Sequence, residues 1–108
     1  MDGYGKLYYE GGKLAYEGEW SQDEFNGIGK VYNDNPVHLD EPFDYTDFGL
    51  VEDYWEYYEG TLSHDTKEGR GKIMLSNQEF FEGDFHNDLV QGFGKYSALD
   101  RYIEGIWR

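Results

Sequence analysis

The sequence predicts an all-β fold: a single-layer, elongated antiparallel sheet of successive hairpins, about seven to nine strands, with one long acidic loop inserted. Three observations carry this reading. A half-motif built on Glu-Gly recurs as Tyr16-Glu17-Gly18-Glu19-Trp20, Tyr58-Glu59-Gly60-Thr61-Leu62, Phe81-Glu82-Gly83-Asp84-Phe85 and Ile103-Glu104-Gly105-Ile106-Trp107. A second half-motif recurs as Gly3-Tyr4-Gly5-Lys6, Gly27-Ile28-Gly29-Lys30, Gly69-Arg70-Gly71-Lys72 and Gly92-Phe93-Gly94-Lys95. In every complete copy nine positions separate the two: 18 to 27, 60 to 69 and 83 to 92. Self-similarity at a period of 22 to 24 residues marks a repeat architecture.

Taken in order, residues 3–15 form a partial repeat, 16–34 a repeat, 35–56 the acidic insertion, 57–80 and 81–102 two further repeats, and 103–108 a partial repeat, all within one domain. Strands are expected at 3–9, 14–20, 27–32, 54–62, 69–75, 79–85, 92–97 and 101–107. Each is short, aromatic or β-branched, and bounded by Gly, Asn or Asp. The turn between the halves of the first complete repeat is placed at 21–26. The array opens and closes on half a repeat with no polar cap, so either sheet edge is a pairing site or meets more of the same array.

Alternation along a strand sends Tyr16, Gly18 and Trp20 to one face and Glu17 and Glu19 to the other. The same geometry groups Tyr58 with Leu62, Phe81 with Phe85, and Ile103 with Trp107. Glycine between two large residues leaves room for a ring to lie across the backbone. A lone hairpin is marginal in water, and stacking hairpins makes their aromatic faces continuous. If Gly18 faces Gly29, then Glu17 faces Lys30, Glu59 faces Lys72 and Glu82 faces Lys95. Such cross-strand pairs are worth roughly 0.2–1 kcal/mol and fix register more than stability.

The insertion carries Asp40, Glu41, Asp44, Asp47, Glu52 and Asp53 together with Phe43, Tyr45 and Phe48. Pro36 and Pro42 oppose regular ladder pairing there. Residues 47–54 are compatible with one or two helical turns. Three readings stand: a solvated loop, an acidic docking strip for a basic segment, or a loop that folds its aromatics onto the groove.

The two half-motifs and their spacing resemble the MORN repeat (membrane occupation and recognition nexus) family over residues 3–34 and 57–107. The resemblance implies a curved, elongated sheet of hairpins with an aromatic-lined groove. It also implies a role as a scaffold or protein-binding module, often in cytoskeletal, ciliary or membrane-apposed assemblies, with lipid binding assigned to some members. The chain departs from the pattern at three places. Asn26, Glu68 and Gln91 precede Gly-x-Gly where the family often has His. Asp23, Asp65 and Asp88 stand where a turn glycine is common, and Asp tolerates the left-handed region. The third departure is the acidic insertion.

With 23 acidic and 9 basic residues the formal net charge is −14. Such a surface repels nucleic-acid phosphates and anionic membranes and complements a basic protein partner. No cysteine is present, so no disulfide framework exists. No apolar run reaches spanning length, no signal-peptide pattern opens the chain, and a cytoplasmic setting is expected, with association to cytoskeleton or cilium in keeping with the resemblance.

Gly-x-Gly-Lys lacks the helix and the Ser/Thr of a phosphate-binding P-loop; Leu7, Val31, Ile73 and Tyr96 follow the lysines. His38, His64 and His86 are too dispersed for a metal site. The repeated glutamates lie two strands apart, roughly 10 Å, too far for a retaining glycosidase pair. Neither an enzyme nor a cofactor is expected. The expected partner-binding groove is Tyr16, Trp20, Tyr58, Leu62, Phe81, Phe85 and Trp107, which are also the array's own core. The acidic docking strip is Asp40, Glu41, Asp44, Asp47, Glu52 and Asp53. The leading expectation is a module that binds a helix or extended peptide, basic in character. A membrane-apposed lipid-binding scaffold and a carbohydrate-binding module are the alternatives, with edge-to-edge self-association or membership of a larger assembly also open.

Overall fold

A computed structural model describes residues 2–41, 43, 51, 53–98 and 100–107 of the chain. Eight strands form one antiparallel sheet in strict chain order: β1 (Gly3–Tyr8), β2 (Leu14–Ser21), β3 (Glu24–Tyr32), β4 (Trp55–Ser63), β5 (Thr66–Leu75), β6 (Phe80–His86), β7 (Leu89–Ser97) and β8 (Tyr102–Trp107). The longest dimension is 40 Å. Seven gaps of about 4.8 Å between strands account for most of it, ~34 Å. The expected single-layer, all-β architecture is what the chain adopts, and no helix occurs among the described residues.

Three residue types run in register across all eight strands. The apolar row is Leu7, Tyr16, Val31, Tyr58, Ile73, Phe81, Tyr96 and Ile103. The charged row alternates sign: Lys6, Glu17, Lys30, Glu59, Lys72, Glu82, Lys95 and Glu104. The third row is Gly5, Gly18, Gly29, Gly60, Gly71, Gly83, Gly94 and Gly105. The three expected Glu–Lys facings are therefore present, and the ladder also continues between repeats. Lys6 Nζ lies 3.5 Å from Glu17. Lys30, Lys72 and Lys95 rest over the rings of Tyr57, Phe80 and Tyr102 at 4.2, 4.4 and 4.1 Å. These contacts add a cation–π attraction to the ladder.

The glycines of Gly-x-Gly do two different jobs. The second lies beneath an aromatic ring: a Cβ on Gly29 would collide with Tyr16, on Gly71 with Tyr58, and on Gly94 with Phe81. The ring that crosses the backbone thus belongs to the hairpin's own Glu-Gly strand. The first glycine adopts positive φ, +107° at Gly27, +87° at Gly69 and +100° at Gly92. Each sits where the hairpin register shifts, the position of a bulge.

The turn expected at 21–26 is shorter than that. Ser21 pairs with Glu24, Ser63 with Thr66 and His86 with Leu89, leaving two-residue turns. Both residues of each turn have positive φ: Gln22 and Asp23 at 53° and 67°, His64 and Asp65 at 50° and 69°, Asn87 and Asp88 at 49° and 70°. This is the type I′ geometry whose twist matches that of the flanking strands. Strands β3, β5 and β7 accordingly start about three residues earlier than expected, and the bulge absorbs the surplus.

The insertion folds back onto the sheet. Phe43 is buried within the aromatic core, where Leu39 and Val51 also pack. The Phe43 ring lies 6.4 Å from that of Tyr96. Its N–H donates to Glu79 Oε1 at 3.2 Å, and the Tyr96 hydroxyl donates to the same oxygen. The Leu39 N–H donates to Ser76 Oγ at 3.0 Å, and that hydroxyl donates to the Val37 carbonyl at 2.7 Å. Of the three readings, the one that folds the loop's aromatics onto the groove is met in part, by Phe43, which joins the buried cluster that holds the groove residues. Tyr45 and Phe48, and most of the 47–54 stretch, lie outside the described residues.

Candidate interaction face

One face of the ribbon is aromatic, and its residues divide by depth. Tyr16, Tyr58 and Phe81 have no exposed surface, and Leu62 and Phe85 are also buried. Trp20 and Trp107 are only partly covered and pack at the margin of the same cluster. Five of the seven expected groove residues therefore form a floor, and the two tryptophans carry the accessible ring surface. The buried five do not meet solvent because a thin sheet has no other material with which to build a core.

Edge-to-face contacts hold the floor together. Tyr58 meets Phe85 at 5.0 Å, Phe81 meets Phe85 at 5.6 Å, and Phe81 meets Trp107 at 4.9 Å. In the first complete repeat Phe25 stacks on Tyr16 at 3.9 Å and meets Trp20 edge-on at 4.9 Å. The equivalent position in the next repeat is Lys67, whose ammonium sits 5.6 Å from the Tyr58 ring and 5.2 Å from Trp55. In the third it is Val90, packed against the same cluster. Sequence reasoning missed this position because Phe, Lys and Val share no property except placement two residues after the turn aspartate.

Electrostatics follow from burial. Desolvation pushes the Tyr16 phenol up to about 12, helped by the charge of Glu19. Burial drives Tyr58 and Tyr96 upward as well, with Asp88 adding to the first and the Glu79 hydrogen bond to the second. Lys67 is held below the usual lysine range by desolvation, against the pull of Asp88 at 3.7 Å. The Tyr16 and Tyr58 hydroxyls donate to the carbonyls of Glu19 and Thr61 at 2.7 and 2.8 Å.

The turn aspartates tie neighbouring repeats together. Phe25 N–H donates to Asp65 Oδ1 at 2.7 Å, and Asp65 N–H donates to the Phe25 carbonyl at 3.0 Å. Lys67 and Asp88 repeat both bonds at the same lengths. Asp thus tolerates the left-handed turn and also clamps the preceding hairpin.

Of the acidic strip, Asp40, Glu41 and Asp53 are exposed, and Asp40 lies 2.8 Å from His38 Nε2. Asp44, Asp47 and Glu52 lie outside the described residues. His64 and His86 are exposed and sit beside Glu24 and Glu68 at 3.5 and 2.7 Å. No group of three potential metal ligands gathers among the described residues. A cavity of about 70 Å³ lined by Phe43, Glu79, Tyr96, Ala98, Arg101, Tyr102 and Ile103 lies under the insertion. It is several times smaller than the roughly 300–1,000 Å³ of a small-molecule site. No helix among the described residues is long and apolar enough to cross a membrane.

The architecture is that of a hairpin-repeat ribbon, a single sheet with one aromatic face and an opposite face that carries the charged row together with exposed Ile28, Phe93, Tyr102 and Ile106. The MORN repeat family model matches residues 16–35, 58–78 and 81–98, together more than half of the chain. The chain belongs to the MORN repeat family. No curated protein gives a match. MORN repeats are generally protein- or membrane-interaction scaffold modules and typically non-catalytic.

Proposed function

We propose that this chain is a non-catalytic scaffold module that binds a helix or extended peptide of another protein along its aromatic face. The observation that supports the reading most directly is the division of that face. The insertion packs against Tyr96, whereas Trp20 on β2 and Trp107 on β8 are only partly buried, the Trp20 Nε1 itself being enclosed. Amphipathic rings flanked by a buried floor suit the anchor residues of a docked segment. The floor is Tyr16, Tyr58, Leu62, Phe81 and Phe85, and the anchors' contacts are Trp20 and Trp107. A net charge of −14 favours a segment rich in Lys and Arg, and Asp40, Glu41 and Asp53 offer exposed carboxylates for it. A place in a cytoskeletal or ciliary assembly fits such a module.

The test is titration with a basic amphipathic helical peptide, read by tryptophan emission and calorimetry. Saturable binding that weakens at least tenfold in a folded Trp20→Ala, Trp107→Ala double variant supports the reading. Equal binding by that variant, or binding confined to anionic vesicles in a parallel arm, overturns it.

A further inference from the structure

From β2 to β8 one residue of each strand falls into a single row on the turn side of the aromatic face. Within the three complete hairpins Trp20 stands opposite Phe25, Leu62 opposite Lys67 and Phe85 opposite Val90. Between hairpins the register sets Gly27 opposite Leu62, Gly69 opposite Phe85 and Gly92 opposite Trp107. Trp20, Phe25, Leu62, Phe85, Val90 and Trp107 are apolar. Lys67, on β5, is charged and stands in the middle, three strands from Trp20 on β2 and three from Trp107 on β8. Three strand spacings of about 4.8 Å make ~14 Å on either side.

The chain's own groups leave Lys67 incompletely served. Its side chain is 19 % exposed, and its ammonium lies 5.2 Å from the Trp55 ring and 5.6 Å from that of Tyr58. Asp88 Oδ1 is 3.7 Å from the ammonium, beyond hydrogen-bond length, and already accepts the Lys67 backbone N–H at 2.7 Å. An ammonium carries three donors, and among the described residues none of these three has an acceptor within hydrogen-bond length. Desolvation holds the lysine below its usual range even beside Asp88, so its charged form gains from a second anion. Packing alone does not call for a cation here. Phe25 and Val90 fill the same position in the neighbouring repeats with apolar side chains.

We infer that Lys67 sets the specificity of the aromatic face by holding a carboxylate of the docked segment. The inference rests on the peptide-docking reading and names the chemistry of the peptide. Apolar residues lie over Trp20 and Trp107, one Asp or Glu lies midway between them, and Lys or Arg lies outside them. On a helix ~14 Å is about nine residues, which fixes the distance from the acid to each anchor. The net charge of −14 turns away segments that are acidic throughout, and Lys67 turns away those with a cation at the centre.

Two helical peptides test this. Both are basic, with an apolar anchor about nine residues to either side of a central position that is Glu in one and Gln in the other. Calorimetry at physiological ionic strength should show wild type binding the Glu peptide about tenfold more tightly, as expected of a hydrogen bond between charged groups. Folded Lys67→Met should bind the two peptides equally, and Lys67→Arg should keep the preference. Asp88→Asn removes the competing carboxylate and should widen it. If neither peptide binds wild type, the docking reading falls and this inference falls with it. If both bind wild type with equal affinity, that reading stands and the inference is overturned. A preference that survives unchanged in folded Lys67→Met overturns it as well.

Discussion

Asp88 shows how one side chain serves two levels of the structure. Its φ of 70° places it at the second position of a type I′ turn, where Gly or Asn would serve equally well. Its carboxylate oxygen also accepts the Lys67 N–H at 2.7 Å, one strand away in the preceding hairpin. The two demands separate by substitution. Asp88→Gly keeps the turn and loses the clamp, which should cost about 0.5–1.5 kcal/mol. Asp88→Asn keeps an acceptor for the Lys67 N–H but removes the charge 3.7 Å from the Lys67 ammonium, so its loss should be smaller than that of Asp88→Gly without vanishing. Urea unfolding of both variants measures the difference, and equal midpoints would remove the clamp. The turn aspartates were legible in the sequence as residues tolerant of the left-handed region. Their bond to the neighbouring repeat was not, because it joins positions 21 to 40 apart whose spacing depends on the insertion. Lys67 was hidden for a related reason: a lysine two residues after a turn reads as solvated surface, whereas here it occupies the place of a stacked ring.

At the scale of the strand, the three rows explain what the two half-motifs are for. Glu-Gly and Gly-x-Gly-Lys each contribute one charge, and the glycine pair between them makes room for a ring, so each of the three complete repeats places its tyrosine or phenylalanine over its own backbone. Fold class, strand order and register were legible because half-motif and offset repeat together. Strand starts were not, since non-glycine residues in I′ turns carry no glycine signal. The division of the aromatic stripe into a buried floor and two partly buried tryptophans was equally invisible, because alternation reports the face and not the depth. The same burial makes the strands sensitive to alkali. Tyr16, Tyr58 and Tyr96 have phenol groups raised by desolvation in the folded state, against about 10 in the unfolded chain. Above pH 10 the unfolded chain releases these protons and the folded chain keeps them. Their stability contribution is thus complete below pH 10 and is lost as the pH climbs toward the folded values. The denaturation midpoint should fall steadily above pH 10. In a folded Tyr58→Phe, Tyr96→Phe variant the fall should be shallower. A flat midpoint up to pH 12 would contradict the assignment of these three hydroxyls to the protonated core.

Across the whole molecule, a ribbon whose strands pair only with sequence neighbours is a one-dimensional array, and such arrays lose stability repeat by repeat. The insertion changes that. It leaves the sheet after β3, returns at β4, and sets Phe43 against Tyr96 of β7, with Glu79 before β6 bonded to both. It therefore bridges the first complete repeat to the third over the top of the second. A contact that spans repeats couples their unfolding, because β7 cannot leave the sheet without exposing the ring that holds the loop. Phe43→Ala removes the ring contact of this bridge and alters no strand residue. The lost core contacts should cost about 3–5 kcal/mol, in line with other buried phenylalanines. The more telling effect concerns cooperativity. Wild type should unfold in one transition, with amide exchange in β2 and β7 governed by the same opening. In Phe43→Ala the protection of β6, β7 and β8 should fall first and separately from that of β2 and β3. Loss of protection by the same factor in all eight strands would show that the sheet alone makes the array cooperative and that the loop merely lies on it.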